Sequence, residues 1–320
     1  MQIKQKKLKN EDGISFPFSV WLANDSYDYI SEDNYISATQ LLKPTRQVIL
    51  SMRSDADIDI RDRLAVSTGT AIHDSVEKAW MEHYDTNMRA LGYSEDFISK
   101  VKINPETLEL GDIPVYIEKR AVKELDGFKI GGKFDFVLNG NLHDIKTSST
   151  YTYIEDSKKE DYILQGSIYR YLNQDIITGS EITIDYFFTD WSKINALSNN
   201  QYPQSRCLSK SYPLLSVLDT EQYLRTKLQE IKDNLDKPED EIIPCPDKDL
   251  WLSPTVYKYY SDPTKTNGRA TKNFDSLEEA NQHVLSKGKG IVKTVIGTPR
   301  RCMYCPAYSI CSQRKRYYND

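Results

Sequence analysis

The chain has 320 residues, 39% hydrophobic and 28% charged, with a formal net charge of −5 at pH 7. That length buries a sizeable core in one large or two modest domains. No apolar run approaches the roughly eighteen residues a membrane span needs, and the negative charge argues against a nonspecific nucleic-acid coat while leaving room for a locally basic groove.

The first ten residues carry Lys4, Lys6, Lys7 and Lys9 but no apolar core after them, so they do not read as an export signal. An intracellular, reduced chain is expected. Ser37 suits the N-cap of a helix carrying Leu41, Leu42, Val48, Ile49 and Leu50, with Pro44 marking a kink or break. Asp55 to Arg63 is charged and reads as a loop. From Gly69 to Trp80 the spacing predicts a helix with Ile72, Val76, Ala79 and Trp80 on its buried stripe. His73 lies beside that stripe, where a lone histidine is more often structural than a ligand. Ile113 to Ile117 is strand-like and ends in Glu118.

The stretch Gly131-Gly132-Lys133-Phe134-Asp135 through Asn139-Gly140 to Asp144-Ile145-Lys146-Thr147 follows. Asn-Gly between alternating apolar runs signals a tight hairpin. With Asn139-Gly140 as the loop, Leu138 faces Asn141, and counting back sets Asp135 opposite Asp144. Strand alternation puts Asp144 and Lys146 on one face and turns Ile145 away. Opposed Cβ atoms sit roughly 5 Å apart, where two like charges repel by about 3 kcal/mol at an effective dielectric of ~20. A bridging divalent cation relieves this, as does a proton held on one carboxylate; the cation is the favoured reading. Two carboxylates and an ammonium are also the groups that metal-assisted phosphodiester hydrolysis uses. The competing reading is a solvent-facing hairpin that happens to carry common surface residues.

Downstream, Asp161 to Asn173 is helical with Leu164, Ile168 and Leu172 as its buried row and Gln165 and Tyr169 on a neighbouring polar row. Glu181 to Trp191 reads as a strand, and Glu221 to Asp236 as a charged amphipathic helix. Cys207 sits in a segment alternating toward Leu214-Leu215 and reads as a buried strand thiol. From residue 245 onward an appendage carries a small hairpin between Tyr257 and Phe274, a helix starting at Asp275 and a last strand near Ile291 to Val295. These elements compose an α/β chain with an αβββαβ core. The expected divisions are an N-terminal helical, DNA-contacting segment (1–68), the core (69–240) and the appendage (241–320).

Cys302, Cys305 and Cys311 place three thiols within ten residues, in a chain with five cysteines. Without an export signal, clustered cysteines read as metal ligands rather than disulfides. Their spacing fits neither a paired zinc ribbon nor a Cys2His2 finger. The fourth ligand is Cys245, Cys207 or an external group, with Cys245 favoured for its Pro-flanked loop. Lys4 to Lys9, Arg300-Arg301 and Arg314-Lys315-Arg316 are candidate phosphate contacts, each more readily read as a solvated charge run, with the last, trailing the cysteines, the best of them. The tyrosines offer stacking surfaces for single strands, although most will be packing residues.

Gly69-x3-His73, Glu118, Gly132-x2-Asp135, Asp144-Ile145-Lys146-Thr147 and Gln165-x3-Tyr169 together resemble the PD-(D/E)XK nuclease superfamily. Residues 37 to 192 carry the resemblance. It is strongest to the RecB/AddB-like branch, which includes the CRISPR-adaptation nucleases and many phage exonucleases. The resemblance implies a restriction-endonuclease-like core in which His73, Asp135, Asp144 and the Ile145 carbonyl bind Mg²⁺ or Mn²⁺. It implies that Lys146 serves the attacking water, that Gln165 and Tyr169 position the DNA strand, and that Glu118 is a supporting acid. The late cysteines resemble the C-terminal part of the iron–sulfur staple in AddB and the CRISPR-adaptation nucleases, implying a 4Fe-4S cluster on Cys245, Cys302, Cys305 and Cys311, with Zn²⁺ as the alternative. The chain departs from that pattern: the early segment Ser37 to Arg46 has no cysteine. The implied activity is metal-dependent hydrolysis of DNA, exonucleolytic, in phage or mobile-element recombination, replication or repair, with DNA ends and a helicase or single-strand-annealing protein as partners. The rivals are a CRISPR-adaptation-type subunit and an inactive nucleic-acid-binding module.

Overall fold

Asn139-Gly140 makes the turn its chemistry favours: both residues have positive φ, 47° and 84°, the type I′ geometry that matches the twist of the flanking strands. A side chain at Gly140 would also collide with the Thr178 hydroxyl. In this computed structural model, which describes residues 8–25, 30 and 32–318, the hairpin joins Phe136–Leu138 to Asn141–Ser148. Phe136 pairs with His143, Val137 with Leu142 and Leu138 with Asn141. One further step sets Asp135 level with Asp144.

The chain divides into two units, one built from residues up to Leu42 and from Asp57–Gln229, the other from Lys43–Ala56 and from Glu230 onward. These divisions differ from 68 and 240, because Ile49 and Leu50 of the helix Thr45–Arg53 pack with Ile242 and Ala307. Pro44 is where the chain breaks: the short helix Ala38–Leu41 before it is closed by a Ser37–Gln40 capping box, and a separate helix begins after it.

In the first unit the hairpin is central to a six-stranded sheet. Its strand order is Cys207–Pro213, Glu181–Phe188, Asn141–Ser148, Phe136–Leu138, Ile113–Ile117, Val101–Ile103. The Asp144 strand runs parallel to Glu181–Phe188 and is joined to it through the helix Lys159–Leu172, as a parallel pair requires. On one face Val101, Val115, Ile117 and Phe136 form a cluster with Met88 and Ile98. Trp80, from the His73 helix, meets Phe136 edge-on at 4.9 Å. Leu142, Ile168, Ile182 and Ile184 are also fully buried. Each such side chain contributes roughly 1.5–3 kcal/mol, so apolar packing holds the sheet on which the acids ride.

Several expectations need correction. The His73 helix runs from Leu64 to Ala90, far beyond Trp80, and its Ile72, Val76, Ala79 and Trp80 are half-buried; only Ser67 and Met88 are fully buried. The Gln165 helix is buried nearly all round, Gln165 and Tyr169 included, so it has no single apolar row. Ile58–Asp59 is not loop but a short strand parallel to Leu8–Lys9, followed by a 3-10 turn that Asp59 caps. Gly131–Lys133 does not extend the Asp144 hairpin. It ends the strand Phe128–Lys133, which pairs with Arg120–Leu125 and Tyr35–Ser37 in a separate three-stranded sheet. An Asp126-Gly127 turn joins the first two, with φ of 50° and 85°. The chain changes sheet at Phe134-Asp135, where Phe134 is fully buried.

In the second unit, Val256–Tyr260 is the central strand between Lys272–Phe274 and Ile291–Val295. The helix Leu277–Lys287 is capped by Ser276, ends at Gly288 with φ 63°, and packs Ala280 against Tyr259 and Phe274. Among the described residues, no helix is long and apolar enough to cross a membrane.

Candidate functional site

The change of sheet at Phe134-Asp135 gathers the site. Asp135 leaves the ladder one residue before Phe136, and its carbonyl accepts the Glu118 N–H at 3.0 Å. Glu118 has left Ile113–Ile117 in a left-handed conformation, φ 52°, which is uncommon for a non-glycine residue and concentrates at functional sites. It also forms an ion pair with Lys133. The Ile145 N–H donates to Asp135 Oδ2 at 2.8 Å, while the Ile145 carbonyl lies 2.9 Å from His73 Nε2. His73 Nδ1 is 3.5 Å from the same Asp135 oxygen. One ligand atom each from His73, Glu118 and Asp135 lies within 4.8 Å of the others. Glu118, a supporting acid by resemblance, is therefore in the central group, and no sequence signal announces its backbone conformation.

Asp144 faces differently. It is 1% exposed, with Lys146 Nζ 2.5 Å from Oδ2; beyond that ion pair, neither oxygen has a hydrogen-bond partner. A buried carboxylate is costly unless paired and hydrogen-bonded. Burial, and then the charge of Asp144, push the Asp135 carboxyl from its usual 3.8 up to about 7, against the opposing pull of His73, Lys146 and the Ile145 N–H. Burial also works to lower the Lys146 pKa, but Asp144 and Asp135 outweigh it and hold the ammonium above its usual value. Lys146 thus stays charged, suited to orienting and neutralising rather than to taking a proton.

These residues fit a divalent cation. Hard carboxylate oxygens, a backbone carbonyl and an imidazole suit Mg²⁺ or Mn²⁺, and the buried Asp144 Oδ1, which no donor reaches, is an oxygen that a cation would satisfy. A carboxyl whose pKa is raised on folding weakens the fold increasingly as pH rises from its unfolded value to its folded one. Metal-free protein is therefore expected to lose stability between about pH 4 and pH 7. Asp135→Asn keeps an acceptor for the Ile145 N–H, and should flatten that slope and stabilise the metal-free protein at pH 8 by on the order of 1–3 kcal/mol. It should also abolish any rise in melting temperature on adding Mn²⁺. Thermal denaturation across pH with and without Mn²⁺ checks both.

Gln165 and Tyr169 are bonded to each other, Nε2 to Oη at 2.9 Å, and both are buried. Tyr169 also presses on Gly132, where an added Cβ would stand 3.0 Å from the ring; that close approach is why Gly132 precedes the site. Of the basic runs, Lys4 to Lys7 lie outside the described residues and Lys9 pairs with Asp57. Arg301 donates to Gln47 Oε1 and covers Trp251, Arg314 lies over Tyr308, and Lys315 and Arg316 are exposed.

Within the second unit, Cys245, Cys302, Cys305 and Cys311 line one cavity together with Arg46, Gln313 and Arg314. Gln313 clasps the Cys245 backbone, accepting its N–H at 2.8 Å and donating to its carbonyl at 2.9 Å. Buried Arg46 points Nε at Cys311 Sγ, 3.3 Å away, and pairs with Glu239. Burial, reinforced by neighbouring thiols, pushes Cys245 up to about 12 and Cys302 up to about 11. Cys207 corrects the sequence reading: it begins an edge strand and is exposed, because only Tyr212 of that strand turns inward fully.

No protein-family model matches the sequence, and no curated protein matches it either. Among solved structures, SSO0001 is similar over 67% of this chain and 87% of its own, at 14% identity and a TM-score of 0.40. The alkaline exonuclease LHK-Exo from Laribacter hongkongensis is similar over 68% of this chain and 94% of its own, at 11% identity and 0.36. A phage-related exonuclease from Haemophilus somnus follows over 63% and 94%, at 15% and 0.28. At such scores the likeness is too distant to carry a fold or an activity across to this chain.

Proposed function

We propose that the chain is a divalent-metal-dependent deoxyribonuclease of the PD-(D/E)XK kind that acts at DNA ends. The observation that carries this is a pair of acids that one hairpin brings level: Asp144, buried with Lys146 against its Oδ2 and no donor on Oδ1, and Asp135, whose carboxylate groups with His73 and Glu118. The order of elements supports it: the His73 helix, the strands Ile113–Ile117, Phe136–Leu138 and Asn141–Ser148, the Gln165 helix and Glu181–Phe188 come in the order α, βββ, α, β, with Glu95–Lys100, Val101–Ile103, the strands Arg120–Leu125 and Phe128–Lys133 and the helix Thr150–Ile154 inserted between them. The preference for ends rests on the family resemblance alone.

His73, Asp135, Asp144 and the Ile145 carbonyl would hold the ion, with Glu118 adjoining. Bound there, Mg²⁺ or Mn²⁺ would polarise a water and shield the scissile phosphate. Lys146, held protonated by two carboxylates, would orient that water and offset the negative charge growing on the phosphoryl oxygens. Asp135 contributes as carboxylate, so activity should rise as it loses its proton. Gln165 and Tyr169 would shape the wall behind the strand. In the second unit the four-cysteine cavity would hold a 4Fe-4S cluster, with zinc as the alternative, on the family resemblance of its late cysteines. A binding module without activity is disfavoured because His73, Asp135, Asp144 and Lys146 are all in place.

The test is digestion of end-labelled linear and closed circular DNA in Mn²⁺, with a chelator control. Linear DNA should be degraded and circular DNA spared, and chelation should stop the reaction. Cutting of circles would replace the end-directed reading by an endonuclease; metal-insensitive or absent cleavage would leave the binding module.

A further inference from the structure

Glu118 has a second neighbourhood. It also lines an open groove of about 700 Å³. That volume falls among sites that take small ligands, roughly 300–1,000 Å³, the size class of a nucleotide. Strand alternation sets its aromatic wall: Val115 and Ile117 turn into the core cluster and are buried, while Tyr116 between them turns the other way and is only half-buried. Lys119 Nζ lies 5.0 Å from the centre of the Tyr116 ring. Arg120 joins Lys119 in the lining, which also carries Glu106, Glu118 and Asp175.

Two cations set among three acids, Glu118 included, make a poor duplex channel, because binding duplex takes a surplus of Lys and Arg along the phosphates. An aromatic face with polar groups of both signs around it suits a nucleobase instead, whose ring stacks and whose edge offers both donors and acceptors. Contact with Glu118 makes the groove continuous with the acid group described above. We propose that this groove receives an unpaired terminal nucleotide of a nucleic-acid strand, its base stacked on Tyr116. The inference rests on the nuclease reading only for what happens beyond Glu118. It deepens that reading by naming the substrate as a strand with a single-stranded end.

The experiment pairs two measurements on Tyr116→Leu, which keeps apolar bulk on the strand, and on Tyr116→Trp, which keeps a ring. The first is steady-state cleavage of single-stranded and blunt duplex oligonucleotides in Mn²⁺. The second is fluorescence quenching of a single-stranded oligonucleotide ending in 2-aminopurine, titrated in Ca²⁺ so that turnover is not needed. Tyr116→Leu should raise KM for the single strand about tenfold, from the loss of one base–aromatic stack, with kcat changed far less. It should also abolish the quenching. Tyr116→Trp should restore both, and blunt duplex should be indifferent to either change. Quenching unaltered in Tyr116→Leu, or a KM rise equal for blunt duplex, overturns the groove while leaving the nuclease standing. A wild-type protein that quenches through Tyr116 but cuts nothing sinks the nuclease and keeps the groove. One that neither quenches nor cuts removes both.

Discussion

Asp144→Asn is expected to slow DNA cleavage about a thousandfold, the scale on which removal of a preorganised charge acts at a reacting phosphate. The substitution keeps the shape of a side chain that is 1% exposed. Two stability effects oppose one another: Lys146 loses its nearest carboxylate, and Asp135 loses the negative charge that, after burial, does most to raise its pKa. The net change should stay under about 2 kcal/mol, so the folded state survives for the kinetic measurement. Single-turnover rates and melting curves on the same preparation separate lost chemistry from lost fold. Lys146→Ala should be similarly inactive, and appreciable cleavage by either variant would refute the assigned site.

Cys245→Ser carries the largest expected effect on stability. The thiol lines the same cavity as Cys302, Cys305 and Cys311, and its backbone is fixed by Gln313. If the four thiols hold the proposed cluster, losing one of them would release a group whose binding energy is folding energy. The melting temperature should fall by about 5–10 °C, and anaerobically purified protein should lose both bound iron and its brown colour. Cys207→Ser, at an exposed position on an edge strand, should change neither. Metal analysis reads all three proteins directly. A wild-type preparation holding zinc instead of iron would overturn the cluster assignment, and metal lost from Cys207→Ser but kept in Cys245→Ser would move the fourth ligand.

What the sequence makes legible is local and periodic. Asn139-Gly140 determines its own turn, and the period of two along a strand then carries the register to Asp135 and Asp144 without reference to the rest of the molecule. Ser37, Ser276 and Pro44 likewise act within one turn of chain. The misplacement of Gly131–Lys133 has a different origin. Whether a strand continues or crosses to another sheet is decided by Phe134 entering the core and by Glu118 turning left-handed opposite it, neither of which alternation encodes. One available signal was passed over: Asp126-Gly127 is the same kind of turn dipeptide and marks the second hairpin. For the site, spacing alone brings Asp135, Asp144 and Lys146 together, while His73 and Glu118 enter only through the family resemblance. How they divide could not be read from either: Glu118 joins His73 and Asp135 while Asp144 turns to Lys146, because that depends on where side chains find room once the sheet is packed. Cys207 shows the limit of pattern reading in the other direction, since alternation cannot say that its strand lies at an edge.

The most direct measurement is anomalous diffraction from crystals of the wild-type protein soaked in Mn²⁺. The account predicts a manganese peak at the end of the Asn139-Gly140 hairpin, coordinated by Asp135, Asp144, the Ile145 carbonyl and His73. Well-ordered acids with no peak between them at saturating Mn²⁺, or manganese bound only elsewhere, would contradict it.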